Sequence, residues 1–290
     1  MKEILNLIRI KHWLKNILIF LPVFFSVNIL STELLKKSFI AFIVFCLSSS
    51  IVYIINDLND LEKDKKHPIK KLRPLASGKI SISTSIITIV ILVLINLILS
   101  SYLYTITNNI LAILIPTIYI VINILYSIIL KDLPIIDVSV IVLGFVLRVM
   151  YGGVVTNIEV SKYLYLMIIF GAFFLGFGKR RNEIIKNGTQ SRKSLDFYNK
   201  SFLDKNMYVM LGLAVVSYTM WCVDKDTISR IGNDYLFWTI PLVIIILQLY
   251  SLNIEGNSHG DPIEVILSDK KLIIVSLIYI IIMTLMLYIL

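Results

Sequence analysis

At 290 residues, 57% hydrophobic and 16% charged, with a mean hydropathy of +0.85, this chain lies outside the composition of soluble globular proteins. Its net charge of +9 points first to nucleic acid. Apolar runs of membrane-crossing length recur throughout, however, and basic loops between such runs are the ordinary topology signal, so nucleic-acid binding is set aside.

Residues 1–16 are basic but interrupted, and no small-residue cleavage site follows the first apolar run, unlike a removed signal peptide. Leu7, Ile8, Ile10, Trp13 and Leu14 lie among Arg9, Lys11, His12 and Lys15, which predicts a short interfacial helix over residues 5–15. Nine spans follow, at residues 17–30, 38–55, 82–100, 110–130, 136–156, 163–178, 207–223, 235–253 and 272–290. The expected fold is all-α, a polytopic membrane bundle forming one domain over residues 1–290. Cys46 and Cys222 both fall inside spans, so no disulfide framework is implied.

The loops alternate in charge. Of 28 Lys and Arg, 22 fall on the face holding the N-terminus and the loops after even-numbered spans, five on the other face, and Arg148 within the fifth span. The positive-inside rule makes the basic face cytoplasmic and, with nine spans, leaves the C-terminus outside a cell (plasma or inner) membrane. Fourteen of the 19 acidic residues share that basic face, which the rule does not require.

The acids and bases converge in four clusters. After the second span, Asn56 and the row Asp57, Asp60 and Asp64 are followed at once by Lys65, Lys66, His67, Lys70, Lys71 and Arg73. The i, i+3, i+7 spacing places three carboxylates along one helical face at the membrane edge. Lys131, Asp132 and Asp137 bracket the turn after the fourth span; Lys179, Arg180, Arg181 and Glu183 follow the sixth; Glu255, His259, Asp261, Glu264 and Asp269 follow the eighth. Short connections in a bundle would gather these clusters at one cytoplasmic mouth.

Each cluster has a plain structural reading beside it. Asp57, Asp60 and Asp64 would serve as a solvated helix end, Asp132 or Asp137 as a helix N-cap, Lys179, Arg180 and Arg181 as a stop-transfer signal, and Gly260-Asp261-Pro262 as a capped turn. Arg148 lies eleven residues beyond Asp137 on the same face of the fifth span and about 16 Å deeper. A charge there needs a partner or a cavity, and Gly144, Gly152 and Gly153 favour the cavity.

Carboxylates alone would suggest cation transport, and cations alone lipid headgroups. Together they suit magnesium and a diphosphate, because Mg2+ takes few carboxylates and completes its shell with phosphate oxygens and water. The run Asn56-Asp57-x-x-Asp60-x-x-x-Asp64, with Arg73-Pro74-Leu75-Ala76-Ser77-Gly78 after it, resembles the first aspartate-rich motif of the UbiA-type prenyltransferase superfamily. The second such motif is reduced here to Lys131-Asp132-x-x-x-x-Asp137.

Four further stretches are similar to the polyprenyl-phosphate phosphoribosyltransferase branch: Arg9-x-x-x-Trp13-x-Lys15-Asn16, His67-Pro68-x-Lys70-x-x-Arg73-Pro74, Gly144-Phe-Val-Leu-Arg148-x-x-x-Gly152 and Gly178-Lys179-Arg180-Arg181-x-Glu183. The resemblance implies transfer of 5-phosphoribose from phosphoribosyl pyrophosphate to a polyprenyl phosphate of decaprenyl type. Asp57, Asp60, Asp64 and Asp137 are then the expected Mg2+ ligands, the first three being catalytic, with Asp57 also a candidate to steady the developing cationic carbon. Lys15, Asn56, Lys70, Arg73, Lys131, Arg148, Lys179 and Arg180 are the expected substrate-binding set. An aromatic prenyltransferase using a prenyl diphosphate and, remotely, a transporter are the alternatives; a homo-oligomer is compatible with all three.

Overall fold

The computed structural model describes residues 2–187, 193–256, 265 and 268–289. Among these residues the chain is helical throughout, with no strand, and eight helices are long and apolar enough to cross a membrane. The helices form two compact units, residues Met1–Phe24, Asn28–Leu130 and Leu147–Glu159 in the first, and Phe25–Val27, Lys131–Val146 and Val160–Leu290 in the second.

The first unit opens with α1 (Lys2–Leu7), a 3₁₀ segment (Ile10–Phe20) and the short α2 (Leu21–Phe25, whose last residue joins the second unit). It continues through α3 (Thr32–Asn59), α4 (Leu61–Lys66), α5 (Ile82–Thr107) and α6 (Leu111–Ile128) to the second half of α7 (Ile136–Thr156). Ser31 and Ser81 cap α3 and α5 by accepting from the backbone N–H of Leu34 and Thr84, the usual device for the unpaired donors of a first turn. The serine run 48–50 gives α3 small polar side chains that accept a polar partner from α5: Asn96 Nδ2 donates to the Val44 carbonyl (2.8 Å) and to Ser48 Oγ (2.9 Å). Phe45, Tyr119 and Tyr151 centre the apolar core of this unit.

Two expectations change here. The interfacial helix over residues 5–15 is broken, because α1 stops at Leu7 and Arg9 adopts a left-handed φ of 53°. The backbone turns there so that the Arg9 side chain reaches Asp57. The expected first span, residues 17–30, is not one long α-helix, so the count of long spans is eight among the described residues. Its chain winds as the 3₁₀ segment and α2, and Val27 (φ 61°) turns the chain after them. A 3₁₀ coil advances about 2.0 Å per residue, so eleven residues reach about 22 Å, further than the same number in an α-helix.

Tertiary contacts hold that unusual coil. Trp13 Nε1 donates to Ser50 Oγ (3.1 Å), Asn16 and Ile19 are fully buried, and the Ile19 carbonyl lies where a Cβ on Gly152 would be, 2.1 Å away. Gly152→Ala should therefore push the segment off α7. The expected cost is about 1–3 kcal/mol, as for other overpacked sites, read as a lower thermal midpoint in detergent; an unchanged midpoint would disprove the close approach.

The second unit holds the first half of α7, then α8 (Lys162–Asn187), α9 (Lys200–Val223), α10 (Lys225–Ile231), α11 (Ile240–Glu255) and α12 (Lys270–Tyr288). Its core gathers Phe174, Phe177, Leu203, Met207, Tyr250 and Ile254. Gly176 admits Val138 of α7, and Gly178 admits Ile254 of α11. Asp269 caps α12, accepting from the N–H of Lys271 and Leu272, and takes a third bond from Asn253 Nδ2 of α11 (2.5 Å). The helix α8 runs nine residues past the expected end of its span. The basic run Lys179, Arg180 and Arg181 thus lies on a packed helix rather than in a loop.

Candidate active site

The aspartate row does not sit on one helix. Asp57 is in the last turn of α3, Asp60 is the joint residue (φ −95°, ψ 9°), and Asp64 belongs to α4. The bend leaves Asp60 half-buried and turns Asp57 and Asp64 inward, each buried to within a few per cent. A single guanidinium nitrogen joins them: Arg73 Nη1 donates to Asp57 Oδ1 (3.0 Å) and to Asp64 Oδ2 (2.5 Å). Arg9 Nη2 donates to the same Asp57 oxygen, and Lys70 Nζ stands 4.0 Å from Asp64 Oδ1.

Pro68 and Pro74 punctuate the return from α4 to α5 and bring Lys70 and Arg73 back onto the carboxylates. His67 shapes this turn, because its Nδ1 accepts from the N–H groups of Ile69 (3.2 Å) and Lys70 (3.3 Å). Burial, and then the Lys70 ammonium, hold the imidazole below the usual histidine range, so it stays neutral and able to accept. Asn56, on α3, accepts from Ser127 Oγ of α6 (2.6 Å), which fixes its amide beside Asp57 in the sequence.

Arg148 lies in the same unit and is enclosed. Nε donates to Asn16 Oδ1 (2.7 Å) and Nη2 to the Tyr119 hydroxyl (3.2 Å), with the Phe45 and Tyr119 rings 5.4 Å and 5.0 Å from the guanidinium carbon. The room expected beside it at Gly152 is taken by the Ile19 backbone. Asn16 Nδ2 in turn reaches Cys46 Sγ (3.2 Å) and Ser49 Oγ (3.5 Å), so this amide links α7 to α3.

In the second unit, Asp137 is fully buried in the first turn of α7 and is not its N-cap. Oδ2 accepts from Arg180 Nε (2.6 Å) and Ser194 Oγ (3.4 Å), and Oδ1 from the Tyr198 hydroxyl (2.7 Å). Arg180, also fully buried, donates through Nη1 to Glu183 Oε2 (2.9 Å). Burial, and the adjacent carboxylate, push the Tyr198 phenol above its usual range, so it keeps its proton. Tyr198 also accepts from the N–H of Ile135, whose φ of 69° is strained for a β-branched residue. Ser194 Oγ donates to the Lys131 carbonyl (3.0 Å), which ties this turn to the same knot. Lys131 and Asp132 are half-buried there, as are Lys15 on the 3₁₀ segment and Lys179 on α8. Arg181 is paired with Asp204 of α9.

The structure thus brings Asp57, Asp64, Lys70 and Arg73 together in one unit and pairs Asp137 with Arg180 in the other. Of the fourth cluster, Glu255 is exposed at the end of α11 and Asp269 is a helix cap. His259, Asp261 and Glu264, with the expected Gly260-Asp261-Pro262 turn, lie outside the described residues. Arg9, Asn16 and Tyr198 were not among the expected site residues. Arg9 and Asn16 lay inside a quoted motif, whereas nothing in the sequence marked Tyr198.

No group of three His, Cys, Asp or Glu among the described residues is placed to hold a metal ion. A pair of carboxylates nevertheless fits Mg2+, which binds through one or two carboxylates together with substrate phosphates and water. Asp57 and Asp64 meet that requirement, since their oxygens lie within reach of one nitrogen.

The UbiA prenyltransferase family matches residues 19–252. A decaprenyl-phosphate phosphoribosyltransferase of Corynebacterium glutamicum is 33% identical over 97% of this chain and 86% of that protein. One from Mycolicibacterium smegmatis is 30% identical over 96% and 90%. Among solved structures, a UbiA homolog from Archaeoglobus fulgidus bound to GPP and Mg2+ superposes with a TM-score of 0.72, at 20% identity, over 98% of this chain and 99% of that one. At that identity the likeness speaks for the fold, and the family match carries the assignment. The chain belongs to the UbiA prenyltransferase family and is a multi-pass membrane transferase.

Proposed function

We propose that this transferase moves 5-phosphoribose from phosphoribosyl pyrophosphate to a polyprenyl phosphate, with Mg2+ on the departing pyrophosphate. The observation that carries the reading is the knot of Asp57 and Asp64 with Arg9, Arg73 and Lys70, which offers carboxylates for a metal and several cations for phosphate in one place. The names of relatives at 30–33% identity over nearly the whole chain support the donor and the acceptor.

In this reading Asp57 and Asp64 hold the metal, with Asp60 at the joint as a further candidate ligand. The bound ion would draw charge from the pyrophosphate and so make it a better leaving group. The bond between the anomeric carbon and pyrophosphate breaks, and a bond from that carbon to an oxygen of the lipid phosphate forms. The attacking oxygen is already anionic, so no strong general base is needed. Arg73, Lys70 and Lys15 serve the phosphates, as do Lys131 and Lys179. Asn56 orients the edge of the site, and Asp57 lies nearest in role to the cationic carbon.

Arg148 and Arg180 are buried and well bonded, so their contribution to substrate binding runs through position: Arg148 fixes the 3₁₀ segment, and Asp137 with Arg180 fixes the Lys131 turn. Asp137 is accordingly read as a positioning residue before a metal ligand. One domain over residues 1–290 is proposed to carry all of these groups.

The site is proposed to face the cytoplasm, since 22 of the 28 Lys and Arg lie on the faces bearing these clusters. The C-terminus is then outside whether or not the 3₁₀ segment crosses the bilayer, because the eight long helices after it alternate in direction. In this reading the N-terminal segment shares the cytoplasmic face, because Arg9 pairs with Asp57 in the last turn of α3.

The test is product identification by the purified protein in nanodiscs, offered labelled phosphoribosyl pyrophosphate with a polyprenyl phosphate, or a prenyl diphosphate with an aromatic acid. A lipid-phosphate-dependent, Mg2+-dependent release of pyrophosphate in the first arm is expected. Consumption of the prenyl diphosphate alone would instead support an aromatic prenyltransferase.

A further inference from the structure

We propose that Arg9 is a two-position donor-binding residue: it neutralises Asp57 while the carboxylate pair holds no metal, and it passes to the donor's pyrophosphate when a divalent ion takes Asp57. This rests on the reading of Asp57 and Asp64 as metal ligands.

The layering of the knot is the first reason. The side chains of Asp57 and Asp64 are each 3% exposed, whereas those of Arg9 and Arg73 are 18% and 27% exposed. The carboxylates are covered and the guanidiniums stand between them and solvent. A metal–pyrophosphate complex arriving from solvent meets the guanidiniums first.

Charge is the second. Two aspartates against two arginines close to neutrality, with Lys70 at the margin. A divalent cation entering with both arginines still in place would crowd like charges in a poorly solvated pocket, where repulsion is least screened. A guanidinium displaced from Asp57 finds its natural new partner in the anion that accompanies the metal, because planar N–H pairs suit phosphate oxygens as well as carboxylates.

The third reason is mechanical. The backbone around Arg9 is pinned: Leu7 is fully buried, the Ile8 carbonyl accepts from Ser50 Oγ (2.8 Å), and the His12 N–H donates to the Arg9 carbonyl (2.9 Å). The left-handed φ of 53° at Arg9 aims its side chain at α3. The guanidinium carbon rests 4.7 Å from the centroid of the Tyr53 ring, a contact that holds a cation without binding it to one direction. The side chain can therefore rotate while its root stays beside the site. A plain staple joining the N-terminus to α3 would also pair Arg9 with Asp57, but it makes no statement about metal or pyrophosphate.

The two roles pull opposite ways on two measurements. With the full chain in nanodiscs of zwitterionic lipid, Mn2+ binding is read from the loss of its free-ion paramagnetic resonance signal, first alone and then with inorganic pyrophosphate. Removing a competitor from Asp57 by Arg9→Gln should tighten Mn2+ binding several-fold in the absence of pyrophosphate. The same change should weaken pyrophosphate binding to the Mn2+-loaded protein by roughly ten- to hundredfold, the scale of a charge-assisted hydrogen bond. If Arg9→Gln does not keep its fold, Arg9→Lys carries the comparison, since it retains the charge and loses the planar fork; pyrophosphate binding should then fall with little change in Mn2+ affinity.

Mn2+ affinity that is unchanged or weaker in Arg9→Gln, or pyrophosphate binding that is unaffected in either variant, overturns the proposal. Absence of saturable Mn2+ binding in the wild type sinks the metal reading and this proposal together. The opposed shifts without any phosphoribosyl transfer would sink only the assigned substrates.

Discussion

Asp57→Asn is expected to lower turnover by about 10²–10³-fold while leaving folded, membrane-inserted protein. The magnitude is that of losing one preorganised electrostatic contact at a reacting phosphate, and an asparagine oxygen is a poor substitute for a carboxylate ligand to a hard cation. Stability should suffer little. An asparagine keeps a side-chain oxygen for these guanidiniums and leaves no buried charge of its own, and the side chains of Arg9 and Arg73, 18% and 27% exposed, stay within reach of water for the bonds they lose. Turnover and thermal midpoint must be measured on the same preparation. Near-wild-type turnover would remove Asp57 from the metal site, and a collapsed midpoint would make it a folding residue instead.

The opposite pattern is expected at the second knot. Arg180→Met leaves Asp137, which is fully buried, with Tyr198 and Ser194 as its remaining hydrogen-bond partners among the described residues. Breaking a buried pair by removing one partner costs about 3–5 kcal/mol, a large part of the stability of an ordinary domain. The expected result is a sharply lower thermal midpoint, with activity lost in proportion to folded protein. Asp137→Asn gives the discriminating case. It should also lower the midpoint, since the Arg180 guanidinium would keep a neutral partner in a dry site, and the dependence of rate on Mg2+ should not move. A raised Mg2+ requirement at an unchanged midpoint would restore Asp137 as a metal ligand.

These contrasts follow from burial, and burial is what residue order conveys least. Asp57 and Asp137 look alike as letters, each an aspartate at the edge of an apolar run. One shares its charge with the partly exposed Arg9 and Arg73, and the other is closed in by Arg180, Tyr198 and Ser194. Tyr198 could not be picked out in advance, because its role depends on the strained Ile135 backbone and on a segment more than sixty residues away in the chain. The basic run at Lys179 read equally well as a stop-transfer signal. Only its continuation inside α8, with Asp137 and Asp204 to receive the guanidiniums, separates the readings.

Long apolar periodicity, loop charge and motif spacing were enough to establish an all-helical membrane transferase and to point to the aspartate row beside Lys70 and Arg73. Those features are local or additive: a helix long enough to cross lipid needs only its own residues, and a charge asymmetry is a count. The break of that row at Asp60, the 3₁₀ coil of residues 10–20 and the arrival of Arg9 at Asp57 are of another kind. Each is a local conformation that the sequence would not choose by itself, and each persists because a distant group, Arg73, the Gly152 surface or the Asp57 carboxylate, stabilises it more than the local alternative.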